Sequence, residues 1–69
     1  MIDIDRIERA DTITITTTKD DVYHFSKEDI IGINDNVIAF KIHMKNIERE
    51  RFVNTNSIVC VSYDYKKGD

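Results

Sequence analysis

Two apolar runs that flank a short polar turn constrain the fold of this chain more than any other feature. Residues 30–33 read Ile-Ile-Gly-Ile, residues 37–44 read Val-Ile-Ala-Phe-Lys-Ile-His-Met, and residues 34–36 between them read Asn-Asp-Asn. Such a pattern is typical of a β-hairpin, because Asn and Asp favour tight turns. Strand side chains alternate between faces, so the second run divides into two sets. One face carries Ile38, Phe40, Ile42 and Met44, and the other carries Val37, Ala39, Lys41 and His43.

Alternation of this kind predicts further strands on both sides of the hairpin. The additional strands cover residues 12–18, 22–25, 51–54 and 58–65, and the last has Val59, Val61, Tyr63 and Tyr65 on one face. The first and last of these are candidates for exposed sheet edges. Residues 45–50 are predicted to form a charged, exposed connection. Residues 66–69 are predicted to be a frayed tail.

Three short stretches leave more than one interpretation open. Residues 2–11 fit a short helix or an irregular arm, although Ile2 and Ile4 alone suit the start of a strand. Ser26 and Asp29 have the spacing of a capping box, which favours a single helical turn there, but a strand that bends also fits. Gly32 lies inside a strand, where glycine marks a bulge, a sharp bend or a close backbone approach.

A weak internal repeat relates two parts of the chain. Phe25 followed by Ile30, Ile31 and Ile33 has the same spacing as Val53 followed by Ile58, Val59 and Val61, with an offset of 28 positions. In each copy four polar residues separate an apolar strand end from an apolar strand. This spacing suits a strand that turns a corner, as strands do in small barrels. Any two strands joined by a short polar link give a similar pattern, so coincidence is an equally good explanation.

The order of these elements resembles the Sm-like small barrel, an SH3-like fold with an N-terminal helix. Residues 15–23 resemble the first turn of that family, which usually reads Lys-Asp-Gly, and residues 33–40 resemble its Asp-x-x-Met-Asn stretch. Residues 51–61 resemble its second motif, with Asn54 and Asn56 where the family has Arg-Gly. The base-stacking aromatic and the RNA-binding Arg-Gly pair are not in place, so the resemblance implies topology rather than RNA binding. We expect an all-β fold, a small five- or six-stranded SH3-like or Sm-like barrel that forms a single domain over residues 1–69.

Chain length sets a limit on stability and favours self-association. A single core in 69 residues supplies only about 3–5 kcal/mol, so small domains often rely on disulfides, metals or oligomerisation. Cys60 is the only cysteine, so a disulfide within the chain is excluded, and no cluster of metal ligands is legible. Consecutive apolar residues point to both faces of two strands, which therefore need cover on both sides, either by barrel closure or by a partner chain. We predict a homo-oligomer whose interface includes Ile30, Ile58 and Cys60.

Charge is distributed unevenly along the chain. The net charge is −3, which argues against a general polyanion binder, yet residues 36–63 carry a net charge of +2. A basic patch with an aromatic residue alongside is typical of a phosphate or nucleic-acid contact. The candidate contact residues are Lys41, His43, Lys45, Arg49, Arg51 and Tyr63, with Tyr65 as an alternative to Tyr63. Interleaved Glu48 and Glu50 favour the simpler interpretation of a solvated surface.

The remaining chemically active residues favour structural roles. Cys60 lies between two valines with no nucleophile motif, which suits a small buried hydrophobe better than a catalytic thiol. His24 and His43 lack metal-ligand spacing, so we predict that they are surface histidines. The acidic residues Asp20, Asp21, Glu28 and Asp29 occupy predicted turns, where Asp serves the backbone; an acidic docking patch is the second interpretation. We predict no catalytic residues, no metal site and no cofactor.

These observations favour a non-catalytic binding module over an enzyme. We expect it to act through protein–protein contact and self-association, and its composition would suit a phage or mobile-element accessory protein, such as an inhibitor of a host protein. The alternative is an oligomeric Sm-like binder of RNA or a nucleotide through the basic patch. No membrane span or signal peptide is visible, so we expect a cytoplasmic protein.

Overall fold

Alternating threonine and isoleucine residues form the central strand of the first of two sheets. The structure is a computed structural model that describes residues 3–67. Strand β1 (Thr12–Thr17) buries Ile13 and Ile15 and turns its threonines Thr12, Thr14 and Thr16 away from the core. It pairs antiparallel with β2 (Val22–Ser26) on one side and with β6 (Ile58–Asp64) on the other. The prediction that residues 12–18 form a sheet edge is therefore wrong, whereas β6 does lie at an edge.

The predicted hairpin forms the second sheet together with a third strand. Strands β3 (Ile30–Ile33) and β4 (Val37–His43) are joined by a turn in which Asn34 Oδ1 accepts hydrogen bonds from the backbone N–H groups of residues 36 and 37, at 2.7 and 2.9 Å. Strand β5 (Glu48–Asn54) pairs with the other side of β4 and completes the order β3-β4-β5. It begins three residues earlier than predicted, because residues 48–50 pair with residues 41–43 instead of forming a loop.

Two links carry the chain from one sheet to the other. Each consists of a 3₁₀ turn, Lys27–Asp29 between β2 and β3 or Thr55–Ser57 between β5 and β6. The predicted capping box is present, since Asp29 Oδ2 accepts from the Ser26 N–H at 3.4 Å and from its hydroxyl at 3.2 Å. We call residues 25–33 the first corner and residues 53–61 the second corner. They coincide with the two copies of the internal repeat.

Both corners contain a β-bulge just after the 3₁₀ turn. The register shifts between Ile30 and Gly32 in the first corner, and opposite Thr16 and Thr17 in the second. A bulge is thus one of the three interpretations that the mid-strand glycine left open. Each bulge leaves one extra residue unpaired, and such residues are turned out of the ladder. Ile31 and Val59 are that residue, and they are 47% and 63% exposed. The prediction that Val59 shares a face with Val61 and Tyr63 is wrong for this reason.

A single core lies between the two sheets. Phe25 of β2 stacks on Phe40 of β4 with ring centroids 4.2 Å apart, and Tyr23 meets Phe40 edge-on at 5.5 Å. Helix α1 (Ile4–Arg9) contributes Ile7 to this core, and Ala10 after it is fully buried. The helical interpretation of the N-terminal arm is thus the right one from residue 4 onward; Ile2 lies outside the described residues. The fully buried side chains Ile13, Ile15, Ile38 and Phe40 form its centre.

The chain after β6 has no regular structure up to residue 67. The Lys66 N–H donates to Asp11 Oδ2 at 2.5 Å, which ties the start of the predicted tail to the residue before β1. Residues 68 and 69 of that tail lie outside the described residues. Among the helices of residues 3–67, none has the length and apolar character needed to cross a membrane.

Candidate binding surfaces

The predicted basic patch does not form one continuous surface. Lys41 and His43 lie on the outer face of β4, the face turned away from the core, whereas Arg49 and Arg51 are opposite core-facing residues of that strand. Tyr63 lies on β6 in the other sheet, where its hydroxyl accepts a hydrogen bond from the Asp3 N–H at 3.2 Å. The register places these groups apart because neighbouring residues on a strand point to opposite faces. Lys45 is exposed in the turn between β4 and β5.

The cations on the outer face are neutralised by carboxylates of the same domain. Lys41 Nζ lies 3.8 Å from Glu48 Oε1, across the β4–β5 ladder. His43 Nε2 lies 2.8 Å from Asp29 Oδ1, and His43 Nδ1 lies 3.4 Å from Glu48 Oε2. The hydrogen bond with Asp29 raises the pKa of His43 above its ordinary value, and the same bond lowers the pKa of Asp29. This part of the patch therefore carries little surplus positive charge.

The arginines on the core side of β5, Arg49 and Arg51, have no carboxylate partner among residues 3–67. Arg51 Nη2 donates a hydrogen bond to the Tyr23 hydroxyl at 2.6 Å, and the guanidinium carbon lies 5.3 Å from the centre of the Tyr23 ring. Within residues 3–67 no carboxylate oxygen lies within 4.0 Å of Arg49 or Arg51. Arg51 is half-buried and Arg49 is exposed. Together with Lys45 in the β4–β5 turn, these two arginines carry the charge of the basic patch that no carboxylate of residues 3–67 pairs.

The predicted acidic cluster is also dispersed. Asp20 and Asp21 lie in the β1–β2 turn, where Asp20 adopts a left-handed backbone conformation with φ of 65°. Such a conformation is easier for Asp than for most residues, which agrees with a backbone role. Glu28 is exposed in the first 3₁₀ turn, while Asp29 beside it is held by residues 26 and 43.

The two histidines are exposed, as predicted. His24 Nδ1 forms a hydrogen bond with Thr14 Oγ1 at 2.8 Å on the outer face of the first sheet. His43 is bound by its two carboxylates. Among the described residues no three His, Cys, Asp or Glu side chains are arranged to hold a metal ion.

The predicted oligomer interface divides into buried and exposed parts. Ile30 and Ile58 are half-buried and pack against the core, because they precede the bulges and face inward. Cys60 is exposed, so its interpretation as a buried hydrophobe is wrong: it pairs with Thr16 on the outer face of the first sheet. The exposed apolar side chains of the two corners are instead their neighbours Ile31 and Val59.

Phe52 is the most exposed large apolar residue in residues 3–67, and the sequence reasoning did not select it. Its side chain is 67% exposed on the outer face of β5, opposite Ala39. The sequence does contain a signal for this exposure. Val53 is an apolar strand residue that is expected to face the core, so the preceding residue Phe52 is expected to face the other way. Aromatic residues exposed to this degree are typical of interaction surfaces.

Shallow clefts lie beside two of the four edge strands, β6 and β5. One cleft, of about 320 Å³, lies along β6 and the start of α1 and is lined by Asp3, Arg6, Ile58, Val59, Cys60, Val61 and Tyr63. Another, of about 210 Å³, lies between the end of β5 and the β1–β2 turn. We call the second one the β5 cleft. Comparison of the chain with protein-family models, with curated proteins and with solved structures finds no match.

Proposed function

We propose that the two sheets are the halves of a small SH3-like or Sm-like barrel. Support comes from the connections, since β2 leads into β3 and β5 leads into β6 through a 3₁₀ turn that changes sheet. The sheets also share one core across the contact between Phe25 and Phe40. A strand that bends through a corner and contributes to two sheets is the means by which small barrels curve.

On this scaffold we propose a non-catalytic binding module that acts through protein–protein contact and self-association. One observation carries the proposal: two edge strands combine an unpaired backbone edge with the two most exposed large apolar side chains of residues 3–67. These are β6 with Val59 and β5 with Phe52. Edges of this kind pair readily with a further strand, and exposed apolar side chains lose contact with water when they do so.

Self-association is assigned to the edge of β6. The bulge at Val59 turns its side chain outward beside exposed Cys60, and the neighbouring cleft offers further apolar surface from Val61. Arg6 and Asp3 border the same cleft and form an ion pair at 3.4 Å. A mixed rim around an apolar centre resembles the general anatomy of interfaces between proteins.

The test is light scattering on a sizing column, with absorbance recorded at 260 and 280 nm. We expect an assembly larger than the monomer for the natural chain, and a shift toward monomer for Val59→Lys. Val22→Lys is the matched control, because Val22 is an exposed valine of the same sheet on the far side of β1. A monodisperse monomer at high micromolar concentration contradicts the self-association proposal.

The same measurement examines the alternative function, binding of RNA or a nucleotide. Arg49 and Arg51 favour an anionic ligand, but Lys41 and His43 are paired with carboxylates and the chain as a whole is acidic. A raised ratio of absorbance at 260 to 280 nm in the protein peak, with salt-dependent binding lost in Lys41→Ala or Arg51→Ala, supports this alternative.

A further inference from the structure

Strand β5 presents two chemically different faces along one unpaired edge. Arg49, Arg51 and Val53 point to the core side of the sheet, and Glu48, Glu50, Phe52 and Asn54 point to the outer side. Within residues 3–67 the strand pairs only with β4. Its other edge is therefore open to a further strand, and any strand that adds there places alternate side chains beside each of these faces.

Arg51 is oriented in advance for a carboxylate. Tyr23 accepts one N–H of its guanidinium, and the ring lies 5.3 Å from the guanidinium carbon, so the side chain is held by a neutral group. A guanidinium has five N–H donors in a planar fork that matches a carboxylate, and one bond to a hydroxyl leaves most of these donors available. Arg49 follows on the same face at the spacing of alternate residues in an extended chain.

The β5 cleft provides space for such a chain. It lies between residues 51–54 at the end of β5 and residues 17–21 at the end of β1 and in the turn that follows, with Tyr23 among its lining residues. Lys19 adds a further positive charge to its border, while Asp21 is the single carboxylate there. Thr18 and Ser57 also line the cleft, and the Thr18 N–H donates to the Ser57 carbonyl at 2.7 Å.

We propose that β5 is the docking edge for an extended acidic segment of another protein. The segment adds as a strand, places carboxylates from alternate residues on Arg49 and Arg51, and packs an intervening apolar side chain on Phe52. This inference rests on the proposed function as a protein-binding module and names the chemistry of its partner. It is independent of the β6 edge, to which self-association is assigned.

The outer face of β5 explains why a peptide fits better than a nucleic acid. Glu48 and Glu50 lie next to the arginines in the chain, so the edge has alternating charge and repels a continuous polyanion. A peptide strand carries its charges on alternate residues and therefore meets the arginines on one face only. It also satisfies the unpaired backbone groups of β5, which a phosphate backbone does not do in a regular ladder.

The experiment measures fluorescence anisotropy of labelled peptides on the purified full chain. The probe is a short peptide in which glutamate alternates with valine and threonine. The controls are the same peptide with lysine in place of glutamate, and a labelled oligothymidylate. We expect Arg49→Gln and Arg51→Gln each to weaken binding of the acidic peptide about tenfold, since hydrogen bonds to charged groups contribute at that level.

Matched variants separate binding from folding. Lys41→Gln removes a cation that is already paired with Glu48 on the outer face, and we expect its affinity to stay within about twofold of the natural chain. Tyr23→Phe keeps the ring and removes the bond that orients Arg51, so it should weaken binding by less than Arg51→Gln does. Arg49 is exposed, so we expect Arg49→Gln to have the same melting temperature as the natural chain. This variant therefore tests the proposal even if Arg51→Gln folds poorly.

Backbone methylation of the peptide tests strand addition directly. Methyl groups on the amides of alternate residues should abolish binding in one register and leave it intact in the other, because only every second residue of an added strand bonds to β5. Equal binding of the lysine peptide, preference for oligothymidylate, or unchanged affinity in folded Arg49→Gln would overturn the proposal. If the natural chain self-associates but does not bind the acidic peptide, only the inference about β5 fails and the proposed function stands. Val59→Lys alters the β6 edge and should bind the peptide as the natural chain does.

Discussion

The first corner and the second corner follow the same backbone path but are stabilised by different chemistry. In each, a buried side chain lies next to the end of one strand, a 3₁₀ turn changes sheet, and a bulge exposes one aliphatic residue. The turn of the first corner is closed by a carboxylate, Asp29, which accepts two bonds from Ser26. The turn of the second is closed by a neutral amide, since Asn54 Oδ1 accepts the Asn56 N–H at 2.8 Å.

The two corners also attach to opposite ends of β4. Asp29 of the first corner holds His43 at the C-terminal end of that strand. Thr55 of the second corner donates from its N–H to the Asn36 carbonyl at 2.8 Å and from its hydroxyl to the Asp35 carbonyl at 2.7 Å, at the other end. Both corners therefore serve to fix the central hairpin, one through an ionisable pair and the other through neutral bonds. The two corners thus share a backbone path, but only the first depends on the charge of its side chains.

The largest expected difference between the corners lies in their buried anchors. Phe25 stacks on Phe40, whereas the equivalent residue Val53 has a smaller side chain in the same core. Phe25→Ala should lose about 3–5 kcal/mol of the free energy of unfolding and Val53→Ala about 2 kcal/mol. Urea denaturation followed by circular dichroism measures both. Because a domain of this size has about 3–5 kcal/mol in total, Phe25→Ala should be largely unfolded without urea. Equal losses would show that the corners do not differ in this respect.

Removal of the turn caps should have the next largest effect. Asp29→Ala loses both bonds to Ser26 as well as the contact with His43, so we expect a loss of about 1–2 kcal/mol in the free energy of unfolding. Asn54→Ala loses one cap bond and should cost about 1 kcal/mol. Asp29→Asn is the control that keeps the shape of the side chain and removes its charge. A larger loss for Asn54→Ala than for Asp29→Ala would contradict this order, because it would show that the cap of the second corner contributes more to the free energy of unfolding.

Substitution of the residue that follows each bulge should give a smaller effect. Gly32 of the first corner corresponds to Cys60 of the second. No atom would lie within 4 Å of a Cβ at Gly32, and its backbone does not need a positive φ. Gly32→Thr should therefore raise the free energy of unfolding by about 0.5–1 kcal/mol, and Cys60→Gly should lower it by a similar amount. A Gly32→Thr variant that is less stable than the natural chain would show that glycine has a specific role in this bulge.

Strand alternation predicted the elements of this fold better than it predicted their surfaces. The central hairpin and the capping box followed from residues 26–44 because their signals are local. The outward direction of Val59 did not, because a bulge shifts the alternation by one and depends on the partner strand β1. The position of β1 inside the sheet likewise depends on β6, which is distant in sequence.

The candidate site shows the same limit. Lys41 and Arg51 are both basic residues within one charged segment, and composition alone groups them together. Only the register of β4 and β5 shows that Lys41 and Arg51 lie on opposite faces of the sheet. Glu48 therefore pairs with Lys41 and not with Arg51. The pairing of Arg51 with Tyr23 joins residues that are 28 positions apart, and no local pattern predicts it.

The smallest expected difference between the corners is their dependence on pH. The hydrogen bond with Asp29 raises the pKa of His43. The stability that His43 contributes through this pair should therefore be fully present below its ordinary pKa of about 6.5 and lost as the pH rises through the raised value. The same bond lowers the pKa of Asp29, so its contribution should be present above about 3.9 and lost as the pH falls through the lowered value. The first corner should thus be held best between about pH 4 and about pH 6.5.

The measurement is the difference in melting temperature between the natural chain and His43→Gln as the pH is raised from this range to well above neutrality. Glu48 on β5 also attracts the protonated ring and Lys41 opposes it, so both face His43 and the observed change is that of the whole cluster. We expect the difference to shrink as the pH rises above neutrality, since the neutral imidazole no longer attracts either carboxylate. Asn54→Ala provides the comparison, because the bonds of the second corner involve no ionisable side chain and its deficit should not change with pH. A constant difference for His43→Gln would mean that the two corners respond to charge alike.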